Sequence, residues 1–176
     1  AASFRPKDPH FSPLKLVSAE DTANRGGGTP YPIESLEAVA ELSHQRGAAT
    51  HMDGARLFNA VVATGIDAKR RTEGYDTVSI CLSKGLGSPV GSLLVGPEAL
   101  IHRGRWIRKA LGGGMRQAGL LAGAGIYALN HNIGRLAEDH RRANDLAEGL
   151  ARHGFAVAPP SSNMLYVDVR NGPEAQ

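Results

Sequence analysis

The sequence predicts an α/β protein with a mostly parallel sheet flanked by helices. Short β-prone runs alternate with amphipathic, helix-prone runs along the 176-residue chain, a pattern typical of parallel sheets. Asp53 and Lys84 each come at or directly after the end of a predicted strand. Because such sheets bind ligands beyond the carboxyl ends of their strands, we expect both side chains at one shared site.

The individual elements follow from periodicity and from turn residues. Apolar, β-prone runs predict strands at 14–20, 48–53, 76–83, 91–96, 155–160 and 163–169. Helical spacing predicts helices at 33–47, 55–65, 97–111 and 115–153, the last interrupted near 130–132. Gly47 stands where a helix ends, and Pro97 stands where proline is tolerated at a helix start. The segments 21–32 and 112–114 are predicted loops.

The composition excludes several classes of protein. Hydrophobic residues make up 41% of the chain and the net charge is +3, which fits a globular domain. The single cysteine, Cys81, excludes an internal disulfide framework. No apolar run is long enough to cross a membrane. Basic clusters at 69–71, 102–109 and 140–142 are interpreted as solvated helix faces, because aromatics, at 5%, are too few for a nucleic-acid surface.

Lys84 lies in "SKGLGSPVG", between an apolar strand and a glycine-rich turn. One interpretation is a lysine that reaches water at the end of a strand. The other is a lysine in a partly desolvated site, where its amine acts as a nucleophile. A phosphate loop of the Walker type is excluded, since the lysine precedes the glycines.

Asp53 and Arg56 lie three residues apart in "HMDGARLFNA". Asp53 could cap the helix that is expected to start near residue 55. A cation in the first turn of a helix is disfavoured by the helix dipole, so Arg56 is better explained by an anionic oxygen that faces it. With Lys84, the pair provides what pyridoxal phosphate requires: a lysine, an acid at the ring nitrogen and a cation near the phenolic oxygen.

Three long motifs carry a resemblance to a known family. They are "HMDGARLFNA" (51–60), "SICLSKGLGSPVGSLLVG" (79–96) and "LGGGMRQAGLLAGAGIYAL" (111–129), and the segments 135–150 and 163–169 agree more loosely. The chain resembles the low-specificity L-threonine aldolases, which are pyridoxal phosphate enzymes of the aspartate aminotransferase fold in the β-eliminating lyase superfamily. The resemblance implies a large cofactor-binding domain and the start of a small α+β domain.

The resemblance also implies roles for single residues. Lys84 is expected to carry the cofactor, Asp53 to pair with its ring nitrogen, and Arg56 to approach its phenolic oxygen. Ala55 is expected to pack against one face of the ring. Arg116 matches an arginine that reaches the phosphate group, often across a subunit interface.

Lys109 matches a second basic residue near the phosphate, with a solvated helix lysine as the alternative. The domains are expected at 1–130, a partial cofactor-binding domain, and at 131–176, a connecting helix and the start of the small domain. The family's phosphate-binding loop and the arginine for the substrate carboxylate have no counterpart here, so we expect the chain to be a fragment of a longer enzyme.

The activity that the resemblance implies is the retro-aldol cleavage of L-threonine or L-allo-threonine to glycine and acetaldehyde. Ala23 stands where the family commonly has a histidine that contacts the substrate hydroxyl. Another pyridoxal phosphate lyase, acting on a β-hydroxy or β-substituted amino acid, and a non-catalytic fragment therefore stay open. His51 is expected to lie behind the site rather than in contact with substrate. The family implies an amino-acid substrate, a homo-oligomer (a dimer or a homotetramer) and a cytoplasmic enzyme, with no metal, nucleic-acid or membrane partner.

Overall fold

The computed structural model describes residues 4–5 and 8–169 of the chain. Its strands are β1 Leu16–Glu20, β2 Ala49–Asp53, β3 Thr77–Cys81, β4 Ser92–Val95, β5 Ala156–Val157 and β6 Val167–Asp168. Its helices are α1 Ile33–Gln45, α2 Leu57–Thr64, α3 Ala68–Thr72, α4 Glu98–Ala110, α5 Gly119–His131 and α6 Leu136–Arg152. In these residues no helix is long and apolar enough to span a bilayer.

The main sheet has four strands in the order β1-β2-β3-β4. The first three strands are parallel, and β4 joins β3 antiparallel at the edge. Helices make the two parallel crossovers, whereas the short connection from β3 to β4 permits only an antiparallel pair. The predicted α/β fold with a mostly parallel sheet is confirmed.

The two faces of this sheet differ in chemistry. On one face Met52 and Val78, which are register partners, pack with Leu36 of α1 and Leu57 of α2 into a buried cluster. Because side chains alternate along a strand, the opposite face carries the residues between them. Register pairing places two polar rows there, Ser18–His51–Thr77 and Glu20–Asp53–Ser79.

Other apolar surface is open. All four residues of β4 are exposed, and α4 has no buried residue. Trp106 of α4 is 71% exposed and Leu120 of α5 is 85% exposed.

The long helical region breaks between α5 and α6, close to the predicted interruption. The late strands β5 and β6 form a separate two-stranded sheet. The division at residue 130 stays a prediction, and residues 170–176 of the second segment lie outside the described residues.

The interpretation of residues 69–71 as a solvated face is wrong for Arg71. Asp67 caps the short, unpredicted helix α3 by accepting from the Arg70 N–H at 2.8 Å. Successive helical residues point about 100° apart, so Arg70 reaches solvent while Arg71 points inward with no exposed surface. Its Nε and Nη2 donate to one oxygen of the equally buried Asp21 at 2.9 and 2.5 Å. The two residues of this pair are 50 positions apart, so the local sequence pattern does not predict it.

Replacing Arg71 with methionine in the intact protein should lower the free energy of unfolding by about 3–5 kcal/mol, because the Asp21 carboxylate is left buried and unpaired. Urea unfolding measures the loss. Arg70→Met, the exposed neighbour on the same helix, should change stability little. Adding Asp21→Asn to Arg71→Met should recover much of the loss. Equal stability of the two single variants would contradict the buried pair.

Candidate active site

The polar face of the sheet ends in a cluster of charged side chains. Glu20 is the last residue of β1, and Asp53, its register partner, is the last residue of β2. Lys84 follows three residues after the end of β3. A narrow cavity at this edge is lined by Ala55, Arg56 and Lys84 together. The structure thus brings together residues that the sequence placed 28 positions apart.

The two carboxylate oxygens of Asp53 differ in their contacts. Its Oδ1 accepts from the Ala55 backbone N–H at 3.0 Å and lies 3.5 Å from the Ser79 hydroxyl. This bond fixes the turn before α2, although the residue at the helix start is Arg56 and no side chain caps it. Among the described residues Oδ2 has no hydrogen-bond partner. It remains available to a cationic N–H.

Arg56 is a mostly enclosed guanidinium with little to bind. Its side chain is 16% exposed, and its nearest acid is Glu20, with Oε1 3.9 Å from Nη1. In the part of the chain that the structure describes, its guanidinium donates no hydrogen bond. Since a buried guanidinium requires acceptors, its free donors indicate a ligand oxygen.

The Lys84 side chain is exposed. In the part of the chain that the structure describes, its amine is therefore not partly desolvated, in contrast to the second interpretation of the sequence. The backbone that carries it is nevertheless firmly held. The Gly87 N–H donates to the Lys84 carbonyl at 2.9 Å, and Gly87 adopts φ +74°, a conformation that favours glycine. Asn132, between α5 and α6, donates to the Leu86 carbonyl at 2.7 Å.

Gly85 allows α6 to approach the Lys84 loop. A Cβ at Gly85 would lie 2.7 Å from Cδ2 of Leu136, which is 1% exposed. Neither Asn132 nor Leu136 is predicted as a site residue from the sequence, because their contacts with the loop span about 50 positions. The available signal was the predicted break in the helix near 130–132, because Asn132 lies in that break.

The loop after β1, residues 21–31, is fixed to the end of β2 and to the segment 162–166. The Asp21 N–H donates to the Asp53 carbonyl at 3.0 Å, which extends the β1–β2 ladder by one bond. The Tyr166 hydroxyl donates to the Asn24 carbonyl, and the Ser162 hydroxyl donates to the Gly28 carbonyl, both at 2.6 Å. Residues 162 and 166 therefore fix the tip of this loop, and no local sequence pattern predicts these contacts.

The remaining candidates lie farther from the cavity lining. His51 is half-buried, with Nδ1 2.8 Å from the Thr77 hydroxyl in the row behind Asp53, which agrees with an indirect role. Lys109 and Arg116 are exposed and do not line the cavity. The assigned roles of all the site residues stay predictions.

His140 of α6 adds a titratable contact beside the cavity. Its Nε2 lies 3.0 Å from Oδ1 of the buried Asn59, which lines the cavity from α2. Burial lowers the pKa of His140, and the nearby Asp139 opposes this shift in part. The folded state therefore favours the neutral imidazole, with one ring nitrogen available to pair with the amide.

Nearly the whole chain matches known proteins of one family. The model of the beta-eliminating lyase family matches residues 1–171. This chain belongs to the beta-eliminating lyase family. The low-specificity L-threonine aldolase of Escherichia coli K12 is 51% identical over 96% of the chain, and the low-specificity L-threonine aldolase 1 of Arabidopsis thaliana is 42% identical over 98%. The resemblance found from the three motifs is confirmed.

Two solved structures show the same fold as this chain. A threonine aldolase from Leishmania major superposes with a TM-score of 0.76 at 25% identity, over 92% of this chain and 48% of that one. An aspartate aminotransferase from Thermus thermophilus, at 22% identity and a TM-score of 0.61 over 84% of this chain and 40% of that one, shares the fold. The chain spans about half the length of the curated relatives it matches, 50% for the E. coli protein and 49% for the Arabidopsis protein.

Gly85→Ala should destabilise the intact protein by about 1–3 kcal/mol, since a methyl group there overpacks against Leu136. Differential scanning fluorimetry reports the change as a lower Tm. Gly134→Ala, in the turn before α6, provides the control, because a Cβ there meets nothing within 4 Å. A Gly85→Ala protein as stable as Gly134→Ala would show that the close approach of α6 is absent.

The lowered pKa of His140 predicts a pH effect on stability. A histidine whose pKa is lower when folded than when unfolded stabilises the fold fully above its unfolded pKa of about 6.5. That contribution declines as the pH falls from there toward the folded pKa, because the unfolded chain then binds more protons. The difference in unfolding free energy between wild type and His140→Gln should therefore shrink from pH 7.5 to pH 5. A difference that is constant over this range would contradict a neutral, half-buried imidazole.

Proposed function

We propose that the intact protein is a pyridoxal phosphate-dependent lyase that cleaves L-threonine or L-allo-threonine to glycine and acetaldehyde. The observation that carries the proposal is the placement of Asp53, Arg56 and Lys84 at the same edge of the sheet, where Arg56 and Lys84 line one cavity. All three lack a full complement of partners among the described residues. The names of the relatives, low-specificity L-threonine aldolases, support the choice of substrate.

The residues present fit this cofactor. When bound, its pyridine ring supplies an electron sink for cleavage of the bond between Cα and Cβ. The free oxygen of Asp53 suits a protonated ring nitrogen, and the free donors of Arg56 suit the phenolic oxygen. Lys84 provides the primary amine to which the cofactor attaches. Ala55, 8% exposed, offers a small apolar surface against the ring.

Arg116 and Lys109 would act on the phosphate group. Their exposed positions fit a phosphate that is also contacted by residues outside this chain or by another subunit. We propose a homo-oligomer, a dimer or a tetramer, because α4 and α5 expose large apolar side chains such as Trp106 and Leu120. Sedimentation of the intact protein tests this, and a monomer would refute it. The cytoplasmic location stays a prediction.

Ala23 favours a second candidate, a lyase of the same cofactor class that acts on another β-hydroxy or β-substituted amino acid. The backbone of Ala23 accepts from the Gly28 N–H at 3.0 Å, and its methyl side chain offers no group to a substrate hydroxyl. A panel of β-hydroxy and β-substituted amino acids distinguishes the candidates. A clear preference for L-threonine or L-allo-threonine supports the first, and a preference for another side chain supports the second.

The direct test supplies the intact protein with pyridoxal phosphate and assays glycine and acetaldehyde from each threonine isomer. Asp53→Asn should lower kcat by at least about 100-fold, a barrier increase of about 2.7 kcal/mol, because an amide does not keep the ring nitrogen protonated. Lys69→Ala, an exposed change on α3, should leave kcat unchanged. Borohydride reduction should fix the cofactor to Lys84, as seen by peptide mass spectrometry. Bound cofactor without either product would refute the proposed substrate.

A further inference from the structure

Glu20 occupies a position beside Arg56 that the proposed set of cofactor contacts does not explain. It ends β1 in register with Asp53, so both carboxylates project from the same face of the sheet. Its Oε1 lies 3.9 Å from Nη1 of Arg56. The same oxygen accepts from the Asn24 backbone N–H at 3.2 Å, which holds the carboxylate in place.

Among the described residues, the other charged and titratable groups around the site do not form an ion pair with Arg56. Asp53 of β2 directs one oxygen to the Ala55 N–H and leaves the other free. Asp21 of the following loop is fully buried and paired with Arg71. Lys84, after β3, is a cation, and His140 of α6 contacts Asn59. Within residues 4–5 and 8–169, Glu20 is therefore the acid that forms an ion pair with Arg56.

We propose that Glu20 is a positioning residue that holds the Arg56 guanidinium at the edge of the site and reduces its effective charge there. The proposal rests on the proposed function, since it assumes that Arg56 faces the phenolic oxygen of the bound cofactor. At 3.9 Å the pair is long enough to leave the guanidinium donors free for that oxygen. It is close enough for the negative charge of Glu20 to act on the largely enclosed Arg56, although Glu20 itself is 40% exposed.

The test is the pH dependence of the visible absorbance of bound pyridoxal phosphate, measured on the intact protein without substrate. A nearby negative charge favours the protonated form of any titrating group. Glu20→Gln removes that charge, so the pH midpoint of the absorbance change should fall by about half a unit to one unit. The amide keeps an oxygen for the Asn24 N–H, which separates the effect of charge from the effect of the loop. The midpoint of Glu20→Asp should also lie below the wild-type value, because the shorter side chain places its carboxylate farther from Arg56.

A double-mutant cycle shows whether Glu20 acts through Arg56. In an Arg56→Gln background, adding Glu20→Gln should shift the midpoint little further. Glu41→Gln, which removes the same charge from the exposed face of α1, should leave the midpoint at the wild-type value. A purely structural role for Glu20 would lower Tm without moving the midpoint.

Three results would overturn the proposal: an unchanged midpoint in Glu20→Gln, an upward shift, or an equal shift in the Arg56→Gln background. The absorbance readout needs bound cofactor and no turnover. A protein that shows the expected shifts but does not cleave threonine would therefore refute the proposed substrate and leave the role of Glu20 supported. A wild-type protein that takes up no pyridoxal phosphate would refute both.

Discussion

The buried ion pair between Arg71 and Asp21 fixes the geometry on which the site depends. Besides Asp21, the Arg71 guanidinium binds the Tyr31 carbonyl at 2.9 Å and the Thr64 hydroxyl at 3.3 Å. Asp21 in turn accepts the Tyr31 N–H at 3.1 Å. One side chain therefore joins both ends of the loop 21–31 to the end of α2. A buried carboxylate is tolerated only with such a partner, because removing either one leaves an uncompensated charge. Since the Asp21 N–H also bonds to the Asp53 carbonyl, the same pair holds the loop against the strand that ends in Asp53.

The sheet supplies the second constraint, through the alternation of its side chains. Met52 and Val78 pack against the helices, so the residues next to them along each strand lie on the opposite, polar face. The core thus determines that Glu20, Asp53 and Ser79 form one row and that His51 and Thr77 lie behind it. A slip of one residue in register would move Asp53 into the apolar cluster and expose Met52. The position of the acid is therefore protected by the same hydrophobic burial that stabilises the fold.

Local pattern predicted the features that depend on local chemistry. The β runs and their turn residues placed Asp53 and Lys84 at strand ends, and the parallel sheet then brought those ends together. The motifs around Lys84 identified the family for the same reason, since they are contiguous in sequence. The burial of Arg71 and the contacts of His140 with Asn59 and of Ser162 with Gly28 join residues 50, 81 and 134 positions apart. Nothing in the short window around Arg71 distinguishes it from the exposed Arg70, because the difference is made by an acid on another element.

The contrast between the two arginines explains how one chain uses the same side chain for structure and for a site. Arg71 directs its guanidinium at Asp21, Tyr31 and Thr64, and the resulting pair is sealed from water. Arg56 is also largely enclosed, yet its described partner is a single carboxylate that is too far away for a hydrogen bond. A guanidinium in that state is stabilised further by any anionic oxygen that enters the cavity. The unequal pairing of Asp21 and Glu20 with the two arginines thus leaves one cation committed to the fold and the other available at the strand ends beside Asp53 and Lys84.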